Sequence, residues 1–273
     1  VLSSPGTEVV LEAHAHILDW EEGAPAEWSR VQLRPVPGRD GILDAERIEA
    51  AIRPDNRFQP RTSLICLENT HNGAGGRILP LENMRAIREL ALARGIPVHL
   101  DGARLWNASV ATGIPVAEFA AHVDTVMVCL SKGLGCPVGS MLAGSREVMA
   151  LAWRVRRRLG GGMRQAGILA AAGLYALEHH RERLAVDHAN ARLLGELAAQ
   201  IPGLSVIPPE TNIVMIDIAE PLPDAVTLLA RLETLGIRMT SFGPRRLRAV
   251  THLDVDEAGI RLAAQGLAEV AHA

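Results

Sequence analysis

The sequence has 273 residues, 48% of them hydrophobic, which is enough for one large domain or two smaller ones and excludes wholesale disorder. Its 28 Lys and Arg against 31 Asp and Glu leave a formal charge of −3, a balance that argues against a dedicated nucleic-acid or membrane-surface binder. With only four Trp, three Phe and one Tyr, the core is expected to be aliphatic and a flat ligand has few rings to stack on.

In chain order, a Pro5-Gly6 turn and the apolar run Val9-Val10-Leu11 follow the first residue, Val1, almost at once. Val31–Val36 reads as a strand, and Asp44–Ile52 as a helix with Asp44 as its N-cap. Ser63–Leu67 is a compact apolar strand. Leu81–Arg94 is a helix stopped by Gly95 and Pro97, and Val98-His99-Leu100 and Thr125–Leu130 are two further strands. Short apolar runs separated by helices predict parallel strands buried on both faces. After Ser145, helices dominate over Ser145–Leu159, Met163–Arg181 and Glu182–Gln200. Strands at Ile213–Ile218 and Arg246–Val250 then alternate with helices at Ala225–Leu235 and Asp256–Ala271. The expected architecture is therefore α/β: a mostly parallel central sheet with flanking helices over residues 1–185, then a smaller C-terminal α+β unit over residues 186–273. No internal repeat or Pro/Gly/Ser-rich linker marks the boundary.

Three cysteines, Cys66, Cys129 and Cys136, with no CxxC pair, suit neither a disulfide framework nor a zinc site and point to a reducing, cytoplasmic setting. The longest uncharged apolar run, Ala166–Leu177, is too short to cross a membrane.

Polar clusters follow three successive strands: Glu68-Asn69-Thr70-His71-Asn72, Asp101-Gly102-Ala103-Arg104 and Ser131-Lys132-Gly133. Ligands of α/β sheets bind at the carboxyl ends of strands, so these clusters mark the expected active site. A lysine leaving a buried strand is partly desolvated, which lowers its pKa and frees the amine as a nucleophile; the bland alternative for Lys132 is an ordinary lysine in a Gly-rich loop. Asp101 suits a metal ligand, a helix N-cap or the partner of a protonated ring nitrogen. Arg104 suits bidentate capture of a carboxylate, or a salt bridge to Asp101 itself. An Asp at one strand end and a Lys at a later one is the arrangement expected for pyridoxal phosphate. The basic run Arg154, Arg156, Arg157 and Arg158 reads as a solvated helix face.

The segments Glu68–Asn72, Asp101–Arg104, Leu130–Ser140, Gly160–Gln165 and Val250–Asp254 together resemble the low-specificity L-threonine aldolases, in family order and over essentially the whole chain. That resemblance implies a pyridoxal 5'-phosphate enzyme of the aspartate-aminotransferase-like fold type I. It implies retro-aldol cleavage of threonine and related β-hydroxy-α-amino acids to glycine and an aldehyde. By the same resemblance, Lys132 is the Schiff-base lysine and Asp101 the acid on the pyridine nitrogen. Arg104 and Arg248 hold the substrate carboxylate, with Arg248 set in a cluster beside Arg245 and Arg246. His16 stacks on the cofactor ring, and His71 is a second active-site histidine. Arg164 contacts the cofactor phosphate of a neighbouring subunit, so a homo-oligomer, dimer or tetramer, with shared active sites is implied. His16 and His71 are the candidate general bases, and no metal is expected. The bland alternatives are that His71 caps a loop and that Arg164 balances the helix after it. The His14-x-His16 pair has no third ligand at metal spacing. Another fold type I lyase reaction, β-elimination or serine/glycine interconversion, shares the same Lys/Asp/Arg core. The resemblance further implies that an N-terminal portion carrying a phosphate-binding loop is absent before Val9, which raises a non-catalytic fragment as the remaining alternative.

Overall fold

The computed structural model describes residues 1–272. Its strands and helices run β1 (Glu8–Glu12), α1 (His16–Asp19), β2 (Gln32–Val36), α2 (Ala45–Ala51), β3 (Thr62–Glu68), α3 (Leu81–Arg94), β4 (Val98–Gly102), α4 (Leu105–Thr112), α5 (Val116–Ala120), β5 (Thr125–Cys129) and β6 (Ser140–Gly144). They continue with α6 (Arg146–Arg158), α7 (Gly167–His179), α8 (Leu184–Ala198), β7 (Leu204–Ile207), β8 (Ile213–Ile218), α9 (Ala225–Thr234), β9 (Thr240–Ser241), β10 (Arg246–Val250) and α10 (Glu257–His272). None of these helices is long and apolar enough to cross a membrane.

The first sheet has the order β2-β1-β3-β4-β5-β6; its first five strands are parallel and β6 closes the edge antiparallel to β5. Local chemistry sets the flanking helices. Asp44 accepts the Arg47 N–H at 2.9 Å to start α2, and Gly95, at φ +62°, ends α3 in the left-handed conformation that a Cβ disfavours. One face of the sheet presents Val10, Ile65, Leu67, Val98, Leu100 and Val126 to Ile48, Met84, Ile87, Leu105 and Phe119. Full burial of side chains such as Leu100 and Phe119 contributes about 1.5–3 kcal/mol each. The alternate residues, among them Leu64, Cys66, His99, Asp101 and Met127, line a cavity of about 380 Å³ on the opposite face. Burial on both faces therefore holds for β1 and β3, whereas on β4 His99 and Asp101 are only half-buried. Every residue of β6 is exposed.

The second sheet, β7-β8-β10-β9, is antiparallel and packs against α8, α9 and α10 around Ala191, Leu194, Val214, Ile216, Leu228, Leu247, Ile260 and Leu267. Helix α8 serves two clusters. Leu184, in its first turn, packs with Leu134, Cys136 and Ala176, while Ala191, Leu194 and Ala198 belong to the C-terminal core. Residue 185 thus falls where the helix passes from one cluster to the other.

Candidate active site at the strand ends

The register places Glu68 of β3 beside Asp101 of β4, and Asp101 beside Met127 of β5, so the three polar clusters emerge side by side. Gly102 is required there, because a Cβ would stand 2.5 Å from the Met127 carbonyl oxygen. Asp101 Oδ1 accepts the Ala103 N–H at 3.0 Å, and the residue faces the 380 Å³ cavity together with His16, Cys66 and Glu68. Burial, with Asp101 and Glu68 close by, pushes the Cys66 thiol up to about 12.

Glu68 is 8% exposed, and burial raises its pKa even though it accepts two backbone N–H groups. Its Oε2 takes the His16 N–H at 2.9 Å and its Oε1 takes the Asn72 N–H at 2.9 Å. One carboxylate therefore sets the positions of two site segments. Sequence reasoning singled out neither Glu68 nor Asn72, although the signal was present: both flank His71 in a polar run directly after an apolar strand.

His16 opens α1, with Nε2 3.3 Å from Glu21 Oε1 at the rim of the cavity. His71 lies deeper, at 2% exposure. Its Nε2 is 2.9 Å from Glu12 Oε2, and its Nδ1 accepts the Ala74 N–H at 3.1 Å, which assigns the ring proton to Nε2. Burial alone would lower the His71 pKa, but the Glu12 and Glu68 carboxylates outweigh it and raise it. Glu12 is itself buried, yet hydrogen bonds from His71, the His14 N–H and the Gly38 N–H hold it at about 2, below the ordinary 4.5.

Lys132 follows β5 in a tight loop closed by the Gly135 N–H on its own carbonyl at 2.9 Å. At Gly133 a Cβ would come within 2.6 Å of a Leu184 methyl, so a larger residue would force that buried side chain of α8 to shift. The Lys132 side chain lines a second cavity, of about 420 Å³, with Arg104, Asn212 and His252. Partial desolvation, then the Arg104 guanidinium, lower its pKa.

Arg104, at the start of α4, and Arg248, on β10, converge from the two parts of the chain. Arg104 Nη1 donates to Asn72 Oδ1 at 3.4 Å and Arg248 Nη2 donates to the same oxygen at 2.7 Å. Among the described residues neither guanidinium has a salt-bridge partner. Burial and then Arg104 bring Arg248 down to about 10, and its buried Nε has no partner. Its neighbours are otherwise engaged: Arg246 pairs with Asp217, and Arg245 donates to the Ile218 and Leu222 carbonyls.

Six of the seven residues singled out from sequence thus gather around the strand ends. The seventh, Arg164, stands exposed between α6 and α7 and touches none of them.

These residues fit pyridoxal phosphate. The cavity wall carries an acid, a histidine and apolar side chains suited to a flat ring. The second cavity carries a primary amine of lowered pKa, and among the described residues the two guanidinium groups nearby have no salt-bridge partner.

A family profile for the beta-eliminating lyases matches residues 1–221. Low-specificity L-threonine aldolase 1 of Arabidopsis thaliana is 43% identical over 253 residues, covering 90% of this chain and 71% of that protein. The low specificity L-threonine aldolase of Escherichia coli K12 is 38% identical over 267 residues, covering 97% of this chain and 76% of that protein. Among solved structures, Leishmania major threonine aldolase superposes with a TM-score of 0.82 at 19% identity, covering 99% of this chain and 79% of that one. The fold is that of the fold type I pyridoxal-phosphate enzymes, as expected. The chain is a lyase of the beta-eliminating lyase family, in its threonine aldolase branch, and its cofactor is pyridoxal phosphate.

Proposed function

We propose that this enzyme cleaves threonine, allo-threonine and related β-hydroxy-α-amino acids to glycine and an aldehyde. The observation that carries this reading is the pair of unpaired guanidinium groups, Arg104 and Arg248, meeting on one neutral amide close to Lys132. That pair is a receptor for the α-carboxylate of an amino acid.

When bound, pyridoxal phosphate supplies an electron sink for the pair of electrons released at the substrate Cα. Lys132 Nζ, with its lowered pKa, is the amine that would hold the cofactor. Asp101 uses Oδ1 for the Ala103 N–H, which leaves Oδ2 to keep the pyridine nitrogen protonated. Arg104 and Arg248 fix the carboxylate, and so decide which bond at Cα is aligned for breaking. His16 is the general base: its ring, with Nε2 3.3 Å from Glu21 Oε1, takes the β-hydroxyl proton. Both nitrogens of His71 are engaged within the chain, so its part is to hold the Glu12 and Glu68 carboxylates in place.

Residues 1–185 carry the cofactor, and residues 186–273 deliver Arg248 to it. The working form is a dimer or tetramer in which Arg164 reaches the cofactor phosphate of a neighbouring copy. Its support is the exposed apolar stretch of β6, α6 and α7 that flanks Arg164. A cytoplasmic enzyme that breaks down threonine and supplies glycine suits the three free thiols.

The test is aldehyde release from threonine, allo-threonine and phenylserine by the cofactor-loaded protein. Turnover and the long-wavelength cofactor absorption band are both expected to vanish in Lys132→Ala. Pyruvate from serine without aldehyde from any of the three would overturn the reading.

A further inference from the structure

We infer that Asn72 is a positioning residue of the carboxylate clamp: its Oδ1 draws Arg104 and Arg248 to one point while its neutrality leaves their charge for the substrate. The substrate half of this inference rests on the aldolase reading above; the anion-binding half stands on the clamp alone.

Two guanidinium groups repel; Glu68 and Asp101 lie close enough to Arg104 to favour its charge, but among the described residues neither arginine has a salt-bridge partner. A shared acceptor is what brings them together, and Asn72 Oδ1 is that acceptor for both. The amide is not free to wander. Asn72 is 9% exposed, and its own N–H is held at 2.9 Å by Glu68 Oε1. The second oxygen of that same carboxylate holds the His16 N–H, so the clamp and the proposed base are registered to one buried group. An aspartate at position 72 would have nearly the same shape, but it would itself be the anion the clamp is built to receive. Alanine would leave the two cations without their common point. The buried, unpartnered Nε of Arg248 agrees with this: one guanidinium donor is spent on Asn72 and another stays open for an incoming oxygen.

The experiment compares Asn72→Ala and Asn72→Asp with the unaltered protein by two readouts. In steady-state kinetics with threonine, Asn72→Ala should raise KM about tenfold with kcat changed less than about threefold, because ground-state and transition-state binding of the carboxylate fall together. Asn72→Asp should raise KM on the order of a hundredfold, since its carboxylate competes for both arginines. In thermal unfolding of the cofactor-free protein the order reverses. Asn72→Asp should raise the Tm by a few degrees and abolish the stabilisation given by added formate, while Asn72→Ala lowers the Tm. A residue that only packs would move Tm without this inversion. Unchanged KM in both variants, or formate stabilisation that survives Asn72→Asp, overturns the inference. If the unaltered protein releases no aldehyde from any substrate, the aldolase reading fails by itself, and the formate readout still decides the role of Asn72.

Discussion

The ends of β3, β4 and β5 and the stretch from Val138 to Tyr175 handle their side chains in opposite ways. At the strand ends, polar groups are buried and answered. Glu12 receives three hydrogen bonds, Glu68 receives two backbone N–H groups, and His71 uses both ring nitrogens. In the later stretch, apolar groups are exposed and unanswered: Met141 at 56%, Trp153 at 55%, Ile168 at 86% and Leu174 at 70%. Exposed apolar side chains concentrated in one stretch are the kind of surface that the proposed oligomer would cover. The first region is finished within one chain. The second stays open in the single chain, and Arg164, lying inside it, is exposed and reaches none of the site residues.

The largest effect expected from breaking this comparison is at the strand ends. His16→Ala should cut turnover by roughly 10² to 10⁴, the usual contribution of a general base, with the cofactor still bound. His71→Ala should act mainly through stability, so the ratio of its turnover loss to that of His16→Ala, measured at equal folded fraction, tests the assignment. Equal catalytic losses at full stability would return His71 to the role of base.

A smaller effect is expected in the apolar stretch. Leu174→Asp, on α7, should reduce the particle mass in light scattering and lower turnover several-fold, because a charge on a buried interface is costly. Leu92→Asp, at an equally open site on α3, should change neither. Loss of assembly with full activity retained would separate the apolar surface from the role of Arg164.

The smallest effect concerns acid stability. Glu12 is held at about 2 from an ordinary 4.5, so its ionised form favours the folded state. That contribution is complete above pH 4.5 and is lost as the pH falls towards about 2. Glu12→Gln should therefore cost about 1–3 kcal/mol at neutral pH in denaturant melts. The gap should narrow as the pH falls through that window, and a gap constant with pH would remove the linkage.

Most of the site was legible because it sits at the ends of apolar runs. SLICL, VHL and TVMVC fold as β3, β4 and β5, and the polar clusters after them emerge side by side. Gly95 and Asp44 announced helix ends through local backbone chemistry, which is why α2 and α3 match their expected limits so closely. Strand β6 was not legible. Ser140–Gly144 is short, rich in small residues and paired at one edge only, so it carries neither period-2 alternation nor burial. The resemblance named Arg248 among the three neighbouring arginines, but no local pattern separates it from Arg245 and Arg246. Arg246 and Arg248 share a face of β10, so the choice depends on what β8 sets opposite: Asp217 takes Arg246, while Arg248, opposite Met215, crosses to Asn72. The short strands β7 and β9 are likewise products of tertiary pairing rather than of local pattern.

The depth of Cys66 has a consequence for chemical selectivity. A thiol lining a cavity that takes an aldehyde-bearing cofactor is a rival nucleophile, and sulfur adds to carbonyl carbon readily once it is ionised. Burial, with two carboxylates close by, pushes Cys66 up to about 12, so the thiol form is favoured at neutral pH. Lys132 is displaced in the opposite direction, towards its reactive neutral form. Burial thus works in opposite senses on the two nucleophiles: it holds the Cys66 sulfur protonated and, together with Arg104, moves the Lys132 nitrogen towards its neutral form, against the pull of Asp101 and Glu68.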